Sequence, residues 1–340
     1  MSNYKIIGGE FEIMNPHDVQ ITPPHISDYS VYTYSSGRAA LYNICKAKGV
    51  KGRKVFIPDY LCSSIPLTIQ KAGMPYDYYS LDDNLTPNIT KVDSDGVILV
   101  INYFGCIDTC NVIKHIKSIL PDAAVILDNV QCPFNILRPT EADYSFTSFR
   151  KAYPVTDGAY VVTKDSSLHQ PTIKSKFAQY KMAASLLKEN RDKGYYEDDI
   201  YLSLFKQGEE LIDGDFDTDM SEHAKMTIQE LEVSRVKVLR QRNASVLLEG
   251  LNSFGIKTLI PIKKDITPLF IPVSIPNRDK IRNKLFEKNI FCPVHWPLEI
   301  DEQKQGKGLE LSKTELSLIM DQRYTVSDMK MILDTIKENL

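Results

Sequence analysis

The chain has 340 residues, 43% of them hydrophobic and 25% charged, and a formal net charge of -3. That balance suits a globular protein and gives no electrostatic reason to expect nucleic acid or an anionic membrane as a partner. The length exceeds what one core fills, since single cores stop growing near roughly 250–300 residues, so a large unit followed by a smaller one is expected.

In chain order, residues 1–29 carry Pro16, Pro23 and Pro24 and read as an extended N-terminal arm. From residue 30 to about 165, strand-like apolar runs alternate with amphipathic helical ones, the pattern of a mostly parallel sheet covered on both faces. Strands are predicted at Lys54 to Pro58, Tyr76 to Ser80, Val97 to Tyr103, Ala124 to Asp128, Asp143 to Phe149 and Ala159 to Thr163. Helices are predicted at Arg38 to Lys48, Ser63 to Ala72 and Asn111 to Ile119, the last entered through Asp108-Thr109 as an N-cap. Residues 172–250 are rich in Lys, Glu, Leu and Met at helical spacing and read as long helices bridging the two units. The C-terminal stretch predicts strands at Leu269 to Ile275 and Phe291 to His295, and helices at Asn277 to Lys288 and Val326 to Glu338. The expected class is α/β, divided into an arm (1–29), a large domain (30–205), and linking helices with a small α+β domain (206–340).

Six cysteines, at positions 45, 62, 106, 110, 132 and 292, follow no paired spacing, and the N terminus does not read as a signal peptide. A cytoplasmic location is therefore expected. Cys106 and Cys110 lie four apart without a second Cys/His pair, so buried thiols are expected and no metal is assigned. No apolar run approaches the roughly 20 residues that span a bilayer.

Three segments carry chemistry. Ser35-Ser36-Gly37-Arg38-Ala39-Ala40-Leu41 sets a glycine turn ahead of a helix, whose free N–H groups and positive dipole end suit a phosphate. Val125-Ile126-Leu127-Asp128 is an apolar strand ending in a carboxylate, at the strand end where open α/β sheets bind ligands. Lys151 follows the Asp143 to Phe149 run, 23 residues after Asp128, and precedes the turn Thr156-Asp157-Gly158. A lysine in a desolvated pocket forms an imine with an aldehyde and can serve as the proton-moving base. A carboxylate beside a pyridine nitrogen keeps that nitrogen protonated. Together these are two of the parts that pyridoxal phosphate (PLP) requires of a protein. Ser148 is placed to donate to the phosphate, with Ser145 as the alternative, while Arg150 reads as an ion-pair partner.

Taken in order, Ser36-Gly37-Arg38-Ala39-Ala40-Leu41, Ile57-Pro58-Asp59-Tyr60, Tyr103-Phe104-Gly105, Asp128-Asn129-Val130-Gln131, and Lys151 followed by Asp157-Gly158-Ala159-Tyr160-Val161-Val162-Thr163 resemble the DegT/StrS family of PLP-dependent nucleotide-sugar aminotransferases. Met220-Ser221-Glu222, Gly255-Ile256, Val294-His295-Trp296-Pro297-Leu298 and Leu316-Ser317-Leu318 resemble further landmarks, so the likeness runs over about residues 30 to 338. The resemblance implies the PLP-dependent transferase fold type I, a homodimer with active sites at the interface, and a small-molecule substrate pair: an amino-acid donor, commonly glutamate, and a nucleotide-linked keto sugar. Polysaccharide or glycoconjugate biosynthesis would be the setting. It further implies that Gly37, Arg38 and Ala39 cradle the phosphate through backbone N–H groups, Ser148 adds its hydroxyl, Asp128 pairs the ring nitrogen, Gln131 touches the ring hydroxyl, and Lys151 carries the cofactor.

The chain departs from the family pattern at several positions. Arg38 stands where a Thr is frequent, and Cys62 stands where an aromatic commonly stacks on the pyridine ring. Asp217 and Asp219 replace the Asn and Arg that approach the neighbouring subunit's site, unless a shorter loop shifts the register. These departures keep open a non-catalytic relative that binds a sugar nucleotide or a protein partner. Sugar dehydration, the third reading, goes in this family with a histidine in place of the lysine, and Lys151 speaks against it. His295, Trp296 and Asp321-Gln322-Arg323-Tyr324 stand near the expected substrate side but read equally as packing and helix entry, and are not assigned to the site.

Overall fold

The computed structural model describes residues 5–14, 16, 17, 20–190, 198–297 and 307–340. Its first part runs β1 (Ser30–Tyr34), α1 (Gly37–Lys46), β2 (Val55–Pro58), α2 (Ser64–Lys71), β3 (Tyr76–Tyr79), β4 (Val97–Ile101), α3 (Thr109–Ile119), β5 (Ala124–Asp128), β6 (Tyr144–Phe146) and β7 (Ala159–Thr163). These seven strands form one sheet in the order β1-β7-β6-β5-β4-β2-β3. The neighbours from β3 across to β6 are parallel, whereas β7 is antiparallel to both β6 and β1. Every residue of β4 (VILVI) and β5 (AVILD) is buried, which requires cover on both faces and explains why neither strand alternates polar and apolar residues.

Next come α4 (Lys176–Glu189), α5 (Asp198–Ile212), α6 (Glu222–Glu230) and α7 (Val233–Ser253), then β8 (Ile271–Ser274), α8 (Arg278–Glu287), α9 (Lys307–Thr314), β9 (Glu315–Leu318) and α10 (Val326–Lys337). Helices α4 and α5 pack on each other, and α10 packs on α7. Two large cores result. One surrounds the seven-stranded sheet, and the other gathers α7, β8, α8, β9 and α10 together with Ile7 of the N-terminal arm. The boundary expected at residue 205 falls inside α5, which runs through it without a break.

One predicted strand does not form. Phe291 to His295 pairs with no strand as a regular ladder, because Pro293 lacks an N–H and the two sides of the segment are taken up separately. Phe291 N–H donates to Ile7 C=O at 2.8 Å, and Ser317 N–H donates to Pro293 C=O at 3.0 Å. The partner of β8 is instead β9. The predicted strand at Asp143 to Phe149 pairs regularly only over Tyr144–Phe146, and a 3-10 turn, Phe149–Lys151, follows it. Leu298 of the C-terminal motif lies outside the described residues.

The Lys151 turn is tied down from several directions. Gly158 has φ +110°, donates its N–H to Ser35 C=O at 2.6 Å and accepts from Phe149 N–H at 2.9 Å. The carboxylate of Asp157, fully buried, accepts from both the N–H and the hydroxyl of Ser221 at 2.6 Å. From the C-terminal part, Gln322 donates to Ala152 C=O at 2.8 Å. A β-carbon at position 158 would meet Met220 Cε at 2.7 Å in a left-handed conformation that L-residues resist. Gly158→Ala is expected to cost about 1–3 kcal/mol, read from the urea midpoint, and an unchanged midpoint would contradict this backbone geometry.

Candidate active site

The cleft at the carboxyl ends of the parallel strands holds about 850 Å3 of empty space, its open mouth included. The N terminus of α1 supplies Gly37 and Arg38, β5 and its following turn supply Asp128, Val130 and Gln131, and the β6 side supplies Ser148, Arg150 and Lys151. From farther along the chain come Glu209, Leu269, His295 and Trp296.

Helix α1 is capped by Ser36, whose Oγ accepts from Ala39 N–H at 3.1 Å, and Ala40 N–H returns to Ser36 C=O at 2.9 Å. The backbone N–H groups of Gly37 and Arg38 have no acceptor among the described residues. Ala39 is therefore a correction to the expected cradle: it is fully buried, its N–H is spent on the cap, and it does not line the cleft. Gly37 permits a close approach, since a β-carbon there would touch Ser148 Cβ and Val130 Cγ2 at 3.4 Å. Ser148 Oγ bonds to none of the described residues, whereas Ser145 Oγ is paired with Thr140 Oγ1 at 3.1 Å and lies outside the cleft.

Asp128 closes β5 and is 6% exposed. Its Oδ1 accepts from Val130 N–H at 2.8 Å. Burial pushes this carboxyl up to about 7, against the downward pull of the Val130 N–H and of Lys151. No arginine or lysine forms an ion pair with it among the described residues. Gln131 is oriented by Phe104, whose N–H donates to Gln131 Oε1 at 2.7 Å, leaving the amide NH2 without a partner among the described residues. Phe104 adopts φ +56° and Gly105 φ +76° to make that turn.

Lys151 is exposed, lines the cleft, and stands within electrostatic reach of both Asp128 and His295. His295 sits against the rings of Phe104, Phe270 and Trp296. Burial, with a contribution from Lys151, pushes it down to about 3, so it is neutral at physiological pH. Behind it, Glu315 Oε2 accepts from His295 N–H at 2.6 Å, Ser317 Oγ donates to Glu315 Oε1 at 2.5 Å, and His295 Nδ1 lies 2.8 Å from Ser317 Oγ. Burial pushes the Glu315 carboxyl up to about 7, against the downward pull of Ser317, the His295 N–H and Arg278.

Sequence reasoning left His295 and Trp296 unassigned, yet both line the cleft. Trp296, the one tryptophan of the chain, packs edge-on to Tyr60 at 5.1 Å and Tyr103 at 6.1 Å between ring centroids. The available signal was the Val294-His295-Trp296-Pro297-Leu298 landmark in the C-terminal part. Glu209, in the middle of a helix-period segment, gave no signal at all. The Asp321 to Tyr324 stretch is structural: Gln322 accepts from the buried Arg240 at 2.6 Å, Arg323 pairs with Asp321 at 2.9 Å, and Tyr324 Oη accepts from Gly8 N–H at 2.7 Å.

Asp217 and Asp219 do not line the cleft. Asp217 pairs with His169 at 2.9 Å, and Asp219 is held by Lys174 and Lys225, each at 2.8 Å, and by Thr33 at 2.5 Å. Burial raises Asp219, but these three partners outweigh it and keep its carboxyl low. The negative charge of Asp219 is neutralised within the chain. Met220 is fully buried against the Lys151 turn.

Solved structures with this arrangement of elements were found by comparison. A DegT/DnrJ/EryC1/StrS aminotransferase from Brucella abortus matches with a TM-score of 0.63 at 16% identity, covering 91% of this chain and 85% of that one. The sugar aminotransferase CalS13 from Micromonospora echinospora matches with a TM-score of 0.62 at 14% identity over 91% and 87%. GDP-4-keto-6-deoxy-D-mannose-3-dehydratase from E. coli, solved with hydrated PLP, matches with a TM-score of 0.65 at 15% identity over 90% and 87%. No family model and no curated protein matches the sequence. The fold is thus that of the fold-type-I PLP-dependent transferases, reached with little sequence identity.

The raised value of Asp128 has a sign that can be tested. Its folded value, about 7, lies above an unfolded value of about 4, so its stabilising neutral form prevails below pH 4 and is lost as pH rises to 7. In cofactor-free protein, Asp128→Asn removes that loss. The variant is expected to gain a few kcal/mol over wild type between pH 5 and pH 8, read by chemical unfolding. Parallel stability curves would contradict the buried, unpaired carboxylate.

Proposed function

We propose that this chain is a PLP-dependent sugar-modifying enzyme that transfers an amino group from an amino-acid donor, glutamate being expected, to a keto group on a nucleotide-linked deoxysugar. The observation that carries this reading is the presence in one cleft of Lys151, a buried Asp128 that lacks a cation, and the unpartnered N–H groups of Gly37 and Arg38. The names of the structural neighbours, which include sugar aminotransferases and a PLP-containing sugar dehydratase, support it. A cytoplasmic homodimer serving polysaccharide or glycoconjugate synthesis belongs to the same proposal.

The residues fit the cofactor. A flat cation set against Asp128 would supply what that carboxylate lacks, and a phosphate would supply acceptors for the end of α1 and for Ser148. Bound in this cleft, PLP would contribute an aldehyde that condenses with amines and a ring that takes up an electron pair from the adjacent carbon. The chain's own residues do the rest. Asp128 holds a proton on the ring nitrogen, and the amide NH2 of Gln131 donates to the ring hydroxyl. Val130 and the large ring of Trp296 line the cleft where Cys62 offers no aromatic face. Lys151 is the amine that anchors the aldehyde. With its amine free, Lys151 Nζ would be the base that takes up and returns the proton at the reacting carbon. Neutral His295 adds no positive charge beside Lys151.

Protein loaded with PLP is expected to show a visible absorption band that shifts on addition of glutamate, while Lys151→Ala slows the half-reaction by at least about 100-fold. With a keto-sugar nucleotide, the product's mass should show gain of nitrogen. Loss of a hydroxyl would mean dehydration instead, and protein that stays colourless with PLP would leave only a binding role.

A further inference from the structure

Two arginines stand at the α1 end of the cleft. Arg38 is the second residue of α1, Arg150 precedes Lys151, and both line the cleft with Gly37 and Ser148. Each has a buried guanidinium nitrogen, Nη1 of Arg38 and Nε of Arg150, without a hydrogen-bond acceptor among the described residues. Arg38 meets its carboxylate neighbours at ion-pair range only, and Arg150 makes one long hydrogen bond to Glu209. Arg38 Nη1 lies 3.3 Å from both Glu209 Oε1 and Asp213 Oδ1, and Arg150 Nη1 lies 3.5 Å from Glu209 Oε2. Glu209 makes its short contact elsewhere, at 2.8 Å to the buried Lys181, which also binds Glu10 at 3.0 Å. Arg150 is positioned by Phe177, whose ring centroid lies 5.6 Å beneath the guanidinium.

Were these arginines present only to neutralise Glu209, their contacts would be as short as that of Lys181. A charged N–H buried without an acceptor is costly, and two such groups lie beside two open backbone N–H groups and a free hydroxyl. Glu209, Asp213 and Glu10 all lie among these cations, yet the two guanidinium nitrogens still find no acceptor among the described residues. Burial would raise Glu209, but Arg150, Lys181 and Arg38 together hold it at about 2.

We propose that the side chains of Arg38 and Arg150 bind the cofactor's phosphate from within this chain, with Glu209 and Phe177 holding the two guanidinium groups beside the N terminus of α1. The proposal rests on the PLP reading and deepens it. A phosphate offers three acceptor oxygens, and a planar guanidinium meets such oxygens with paired N–H groups. This assignment also accounts for the tolerance of acidic residues at 217 and 219, since the positive charge comes from the α1 and Lys151 segments.

Equilibrium dialysis of cofactor-free protein against PLP and against pyridoxal, which lacks the phosphate, separates the two ideas. Wild type should bind PLP far more tightly than pyridoxal. Arg38→Gln and Arg150→Gln should each weaken PLP roughly 10- to 100-fold while leaving pyridoxal within about twofold. Arg150→Lys, which keeps the charge and loses the planar fork, should fall between. PLP affinity unchanged in both single variants, or pyridoxal weakened in step with PLP, overturns the arginine assignment while the PLP reading stands. Wild type binding neither compound overturns both.

Discussion

A carboxylate at the end of the central strand, buried and without a cation of its own, is the constraint around which the site is built. β5 must be apolar throughout because helices cover both faces of the sheet, so Asp128 at its last position is desolvated as it leaves the core. One backbone N–H from Val130 does not compensate for that desolvation, and the group sits near 7. Most buried acids acquire a lysine or arginine. This one instead faces a cleft in which Lys151 is near enough to be felt but does not form an ion pair. Such an arrangement is costly for stability and useful for chemistry, as it favours a cationic ring set against it.

The other half of the design is the rigidity of the turn that carries Lys151. The buried Asp157 fixes Ser221 at the start of α6, Gly158 takes a conformation that brings its N–H to Ser35 next to the α1 cap, and Gln322 reaches Ala152 from the C-terminal part. The N-terminal end of α1, the Lys151 turn and the second unit are thereby locked to one another through groups adjacent in sequence to the residues they position. His295 enters from that second unit, held by Ser317 and Glu315 on β9.

Much of this was legible in the sequence, for local reasons. The apolar runs that build β4 and β5 are continuous, the Ser36-Gly37 turn announces the start of α1, and the Asp157-Gly158 turn marks the lysine's neighbourhood. Those features depend on residues within a few positions of each other, and the cleft brings Gly37, Asp128, Ser148 and Lys151 together as their spacing suggested. Legibility failed where a residue's role is decided by distant packing. Ala39 looked like part of the phosphate turn because only the structure reveals that Ser36 consumes its N–H. Phe291 to His295 had the composition of a strand, but Ile7 and Ser317 occupy its two sides and Pro293 breaks the ladder. Glu209 reaches the cleft only because α5 folds back along α4, and nothing local in its helix signals that.

The central claim is that one amine, at position 151, anchors PLP opposite Asp128. Loading the protein with PLP, reducing it with borohydride and mapping the pyridoxyl-bearing peptide by mass spectrometry tests this directly. The account predicts a single modified peptide whose label is on Lys151, with the labelling diminished in Asp128→Asn. Labelling of another lysine, such as the buried Lys181 beside Glu209, or labelling spread over exposed lysines with none at 151, would contradict it.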